Sequence, residues 1–233
     1  RHFDNVQVAY QERTVGDPMV TGPARGVLVS TDAGSDVTDA SGDHGLSGTL
    51  TLALDGPDVT IQENGSLVMA TGTGDTTLTG GDQIPQSAAT ALAHFHVVWD
   101  WLETRWPTHS WLGTNVPANV DVTSGACNAW YTSGTISFLQ GSEGACNNFG
   151  QIADVLYHEV GHGIHHYILA GGTFAGDISE GSGDYVSATI TGDPEVGPNA
   201  HWDGGYVREI ESDRRLPDDA TGEVHNDGLI WAS

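Results

Sequence analysis

Residues 158–162 read His-Glu-Val-Gly-His, and Glu180 follows eighteen residues after the second histidine, inside Ser-Glu-Gly-Ser-Gly-Asp. These two segments constrain the fold more than any other part of the chain. On a helix, residues four apart stand one above the other on the same face. His158 and His162 can therefore present two imidazoles to one ion. Glu180 can join them only if the segment carrying it lies alongside that helix.

The surrounding sequence supports a helix here. Over residues 151–169, Ile152, Val155, Leu156, Val160, Ile164 and Ile168 form an apolar side. Gly171-Gly172 supplies a stop signal. Residues 178–190 read as a second helix carrying Glu180 and Asp184. Residues 86–106 lack Gly and Pro and repeat Ala91, Phe95, Val98 and Leu102 at helical spacing, with Ser87 as the expected N-cap and Pro107 beyond the end. His94 and His96 are two apart and share no helix face, so they read as packing or surface histidines. Before this, β-type runs recur at 6–10, 26–30, 48–54, 59–62 and 66–71, separated by Gly, Asp and Pro clusters. Residues 128–140 read as a strand or hairpin, and 191–233 as loop-rich and acidic. The four aspartates between 32 and 43 do not fall at EF-hand spacing and read as a solvated loop.

Composition narrows the function classes. Seven Lys plus Arg against 31 Asp plus Glu give a net charge of −24 over 233 residues. All seven cations are arginines. Such a surface lacks the cations that phosphate contacts and anionic membranes need, so neither nucleic acid nor membrane is an expected partner. Two cysteines without a CxxC exclude a cysteine-built zinc site. No apolar run approaches membrane-spanning length. No basic segment plus apolar run opens the chain, so the expectation is a chain without its secretion leader.

Two imidazoles and one carboxylate leave a fourth tetrahedral position for water, the arrangement of a catalytic zinc. Glu159 lies one step round the helix, where a carboxylate can take a proton from that water. Asp184, four residues after Glu180, is placed to accept the other N–H of His158 or His162. A metzincin would need Gly and His at the third and sixth residues after the second histidine. His165 and Ile168 stand there, so that class fails. His165 and His166 read as a polar helix end.

With these blocks in place, the sequence resembles the thermolysin–fungalysin group of secreted metallopeptidases, and the fungalysin side more closely. The carriers are His158-Glu159-x-x-His162, Glu180-Gly-x-x-Asp184 and Glu223-Val224-His225-x-x-Gly228-x-x-Trp231. Asn128-Ala129-Trp130 is similar to the start of the edge strand that holds substrate backbone in that group. The likeness spans about residues 86–233.

The resemblance implies an α+β zincin fold. Its β-rich N-terminal part, residues 1–82, belongs to the peptidase lobe. Residues 83–233 form the zinc-binding catalytic part, and the C-terminal helical lobe is largely absent. It implies a secreted zinc endopeptidase with His158, His162 and Glu180 on zinc and Glu159 as general base. His225 donates to the oxyanion, oriented by Asp218 or Asp219. Asn128 and Ala129 hold substrate. The group's oxyanion tyrosine lacks a clear counterpart: Thr173 stands near its place, with Tyr167 and Tyr185 nearby. Asp154 sits where thermolysin-type enzymes carry a calcium-binding aspartate, and Asp193, Glu195, Glu209, Glu211 and Asp213 could join it around Ca2+. In a secreted protein Cys127 and Cys146 are expected to pair, the alternative being two buried thiols. Expected partners are polypeptide substrates and a missing C-terminal lobe or a propeptide. The competing readings are a zinc aminopeptidase and a non-catalytic binding module derived from a peptidase.

Overall fold

Most strands of the first eighty residues pack as two small sheets in the computed structural model, which describes residues 3–169 and 175–233. In one, Asp4–Gln11 runs parallel to Thr76–Thr79 and antiparallel to Met19–Pro23. The other is antiparallel throughout, in the order Gly34–Val37, Leu28–Thr31, Thr49–Ala53, Met69–Thr73. Alternation sets which face is inward: Thr49–Ala53 buries Leu50 and Leu52 and exposes Thr49 and Thr51.

A third sheet carries one wall of the later cleft. Its order is Ala129–Thr132, Thr135–Leu139, Val116–Val122, Val59–Glu63, Ser66–Leu67. The three central strands are parallel and the two outer ones antiparallel to their neighbours. Sequence reading misses Val116–Val122, because Pro117, Asn119 and Asp121 depress its strand propensity. The buried positions Val116, Ala118, Val120 and Val122 nonetheless alternate. The expected hairpin at 128–140 is present. Ser133 and Gly134 form its two-residue turn with φ of 49° and 89°, the positive values such a turn requires.

Helix α1, Gln86–Arg105, buries Ala91, Phe95, Val98 and Leu102 as the spacing predicts. Its expected cap is corrected: Pro85 precedes the helix, and the Ser87 hydroxyl donates to Asp121 Oδ2 at 2.7 Å. His94 and His96 are buried packing residues, held by Tyr157, the Gln11 carbonyl and the Arg25 carbonyl.

Helix α2, Ala153–Ile168, and α3, Gly176–Thr191, are the two expected helices. The Gly171-Gly172 stop lies outside the described residues. The loop reading of 191–233 is corrected at its end, where α4 spans Val224–Ala232 and Glu223 caps it by accepting from the Asn226 N–H. Gly228 in mid-helix weakens the helical signal in sequence.

α3 lies between α2 and α4, and glycines permit the approach. A Cβ on Gly161 would fall 2.7 Å from Gly183 Cα, and one on Gly181 would fall 2.6 Å from the Gly228 carbonyl oxygen. The fold is α+β, with one large core running from Val6, Val29 and Leu52 through Phe95 and Leu102 to Ile152 and Val160. A smaller cluster of Val196, Ile210, Leu229 and Ala232 lies against α3. Among the described residues no helix is long and apolar enough to cross a membrane.

Candidate metal centre

The helical spacing works out as expected: the rings of His158 and His162 meet edge to face with centroids 4.5 Å apart. Each ring has a polar neighbour at its Nδ1. That of His158 lies 2.8 Å from Asp184 Oδ1, and that of His162 lies 2.6 Å from Ser179 Oγ. Asp184 thus serves His158, and Ser179, which sequence reading misses, serves His162. Both Nε2 atoms are left to face Glu180, whose two oxygens lie 3.3 Å from His158 Nε2 and 3.6 Å from His162 Nε2.

These separations suit a metal. Donors about 2.1 Å from a tetrahedral ion stand ~3.4 Å apart. The ligand atoms of His158, Glu159 and His162 also fall within 4.8 Å of one another. Two carboxylates therefore compete for the third place, and geometry favours Glu180, which touches both Nε2 atoms. Glu159 is 4% exposed and its Oε2 has no hydrogen-bond partner. A buried carboxylate oxygen left open beside a metal position fits a group that exchanges protons. Two imidazoles, one carboxylate and an open side match zinc better than the hard cations, which prefer oxygen.

Electrostatics separates the roles. Burial pushes the Glu159 carboxyl up to about 7. Burial opposes charge on His158, but the adjacent Asp184 overcomes it and raises the ring to about 10. Burial and the neighbouring His158 lower His162 to about 3. Burial raises Glu180 less than the imidazoles lower it, and it titrates near about 2.

Two further groups complete the centre. Arg208 Nε donates to both Asp184 oxygens at 3.0 and 2.8 Å, and its Nη2 lies 3.4 Å from Glu180. Nothing near residue 208 in the sequence singles it out, because its partners are brought in by the pairing of Arg208–Glu209 with Glu195–Val196. His225 Nε2 lies 3.5 Å from Glu180 Oε1, and its Nδ1 lies 2.8 Å from Glu223 Oε1. The expected orienting acids are corrected: Asp219 accepts from the Arg215 N–H, and Glu223 is the carboxylate on His225.

A cleft of about 270 Å³ opens over these groups. Its lining includes Asn128, Ala129, Trp130 and Tyr131 together with Val196, Val207, Arg208 and His225. Ala129–Thr132 is the outermost strand of its sheet. Cys127 and Cys146 form the disulfide that closes the loop around this hairpin. Neither nearby tyrosine replaces the expected oxyanion group. Tyr167 stacks on Trp111, and Tyr185 is exposed in a separate apolar groove with Trp231. Thr173 lies outside the described residues.

The calcium expectation at Asp154 is corrected as well. The side chain is fully buried, and Arg13 occupies both of its oxygens, Nε to Oδ1 at 2.9 Å and Nη2 to Oδ2 at 2.8 Å.

Comparison with known proteins adds two findings. Residues 38–166 match the model of the thermolysin metallopeptidase catalytic domain. That stretch includes both histidines and Glu159; Glu180 and the block around His225 lie beyond it. Among solved structures, the chain resembles the precursor of protealysin, a metalloproteinase from Serratia proteamaculans, with a TM-score of 0.55 and 17% identity. The match covers 66% of this chain and 53% of that one, so the chain spans about half the length of the relative, and at this identity the likeness is one of fold. A search of curated proteins finds no match.

Proposed function

The chain belongs to the thermolysin metallopeptidase family, and on that footing we propose that it is a secreted zinc endopeptidase. The observation that carries the reading is the convergence of His158 Nε2, His162 Nε2 and Glu180 beside the open, buried oxygen of Glu159. Zinc, when bound, supplies a Lewis acid that polarises the scissile carbonyl and lowers the pKa of water toward ~7. Glu159, already raised toward neutrality, accepts the water proton and hands it to the leaving nitrogen. His225, held at Nδ1 by Glu223, donates through Nε2 to the developing oxyanion. Asp184 and Arg208 hold His158 and Glu180 in place.

Substrate geometry follows from the cleft wall. The outer edge of Ala129–Thr132 can take an extended peptide as an added strand, with Asn128 and Ala129 contacting its backbone. The carboxylates lining the cleft are Glu159 and Glu180, both part of the metal centre. Among the described residues no other lining acid is left to hold a free amino group, which favours an endopeptidase over an aminopeptidase. The disulfide supports an oxidising, extracellular setting. Residues 1–82 and 83–233 act together as one peptidase lobe. A propeptide is a further partner on this reading, since the solved relative is a precursor.

Metal analysis beside hydrolysis of an end-blocked quenched peptide tests the proposal. One zinc per chain, with cleavage lost on chelation and restored by zinc, is expected. Glu159→Gln should keep the zinc and lose roughly a hundredfold or more in rate. Cleavage confined to peptides with a free amino terminus would instead indicate an aminopeptidase. Absence of both zinc and hydrolysis would indicate a binding module.

A further inference from the structure

One turn ahead of His158, three oxygen-bearing groups converge from separate parts of the chain. They are the Asp154 carboxylate at the head of α2, the Asp193 carboxylate just past α3, and the Glu195 carbonyl. One buried carboxylate, one half-exposed carboxylate and a carbonyl gathered in this way are the donors a divalent cation such as calcium takes. The resemblance stated above leads to the same expectation.

The centre of the group is filled by protein. Arg13 Nε and Nη2 donate to the two oxygens of Asp154 at 2.9 and 2.8 Å, Nη1 donates to Asp193 Oδ2 at 2.6 Å, and Nη2 also donates to the Glu195 carbonyl at 3.0 Å. The Gly197 N–H adds a donor to Asp154 Oδ2 at 3.2 Å. An ion placed among these oxygens would coincide with the guanidinium, so the residues present do not fit calcium.

We infer that Arg13 is a built-in replacement for a structural calcium ion, tying the start of the zinc helix to the segment after α3. Its loop is anchored for the task. The Arg13 carbonyl accepts from the Ala153 N–H at 2.8 Å, the first residue of α2, and Asp17 accepts from the N–H groups of Arg13 and Thr14. The Thr14 hydroxyl donates to the Pro198 carbonyl and Asn199 donates to the Val15 carbonyl, closing the loop on the partner segment. The planar fork suits the task, since it meets one carboxylate with two parallel bonds while a third nitrogen reaches the other. The electrostatics agree: the hydrogen bond from Arg13 holds the Asp193 carboxyl below its ordinary value.

The test reads calcium binding and melting temperature, not hydrolysis, so its outcome is independent of the peptidase proposal. The zinc-loaded chain is dialysed against radiolabelled calcium at constant zinc, and its Tm is measured with and without millimolar calcium. The expected result is no stoichiometric calcium and a Tm shift within ~1 °C. Arg13→Ala vacates the cage. It should melt ~10 °C lower, as expected when a buried ion pair loses one partner. It should also bind one calcium per chain, with calcium restoring part of the loss. Arg13→Lys keeps the charge without the fork and should fall between the two, which preserves a readout if the alanine variant folds only with calcium. Stoichiometric calcium in the wild-type chain would overturn the inference. So would an Arg13→Ala chain that melts like wild type, or one that gains nothing from calcium.

Discussion

Glu159 carries a cost that its environment makes measurable. Its buried carboxyl titrates near about 7 in the metal-free chain, above its unfolded value of about 4.5. The folded state therefore holds the proton longer than the unfolded state. Stability is fully present below pH ~4.5 and declines as pH rises through ~7, by up to ~3 kcal/mol. Glu159→Gln cannot ionise, and its amide oxygen can still accept from the Tyr131 backbone. Stripped of metal, this variant should out-melt wild type at pH 8 and match it at pH 4; equal melting at both would show that Glu159 is not buried as a charge. His225 makes a different kind of contribution. His225→Ala should lower kcat and kcat/KM together by ~10²–10³ with zinc content unchanged, and loss of zinc would make His225 a ligand. The pairs His158–His162 and Glu180–Asp184 were legible in sequence because each is a four-residue helical spacing, though on separate helices. Arg208, Ser179 and Glu223 were not. Arg208 finds Asp184 through a strand pairing, Ser179 meets His162 only where two helices touch, and Glu223 has a local contact that the family's more distant aspartate obscured.

Among the elements, the α2–α3 contact sets how His158 and His162 stand relative to Glu180. A Cβ on Gly183 would stand 2.7 Å from His158 Nδ1, in the space where that atom meets Asp184. Gly183→Ala must displace the ring from its carboxylate, and weakened support of this kind typically costs 10–100-fold in metal affinity. Competition with a chromogenic chelator measures it, and wild-type affinity in the variant would show that the ring has room to move. The glycines in His-Glu-Val-Gly-His and Ser-Glu-Gly-Ser-Gly-Asp look like punctuation in sequence; in the fold they are the contact surface between helices. The three long helices and the hairpin were readable from period and turn chemistry. The strand Val116–Val122 and helix α4 were not, since polar residues and Pro117 broke the first pattern and Gly228 the second.

The molecule as a whole carries a net charge of −24 with no lysine. Such self-repulsion disfavours the compact state, and salt relieves it, because the screening length falls from ~10 Å at 0.1 M to ~3 Å at 1 M. The Tm of the wild-type chain should rise by several degrees, ~5 °C, over that range, as should happen on partial neutralisation toward the isoelectric point near 4.3. A Tm that falls with salt would mean that ion pairs such as Arg25 with Asp58 and Asp100 outweigh the repulsion. The Arg13 clamp bears on how this molecule can be handled. With the scaffold's cation fixed to the polypeptide, emptying the metal centre and dismantling the architecture become separate operations. On the proposed reading, a chelator strong enough to strip zinc should leave a folded vessel, ready to be refilled with cobalt(II). Tetrahedral cobalt is coloured where zinc is silent, so the refilled chain would report each change at His158, His162 and Glu180 as a change of hue.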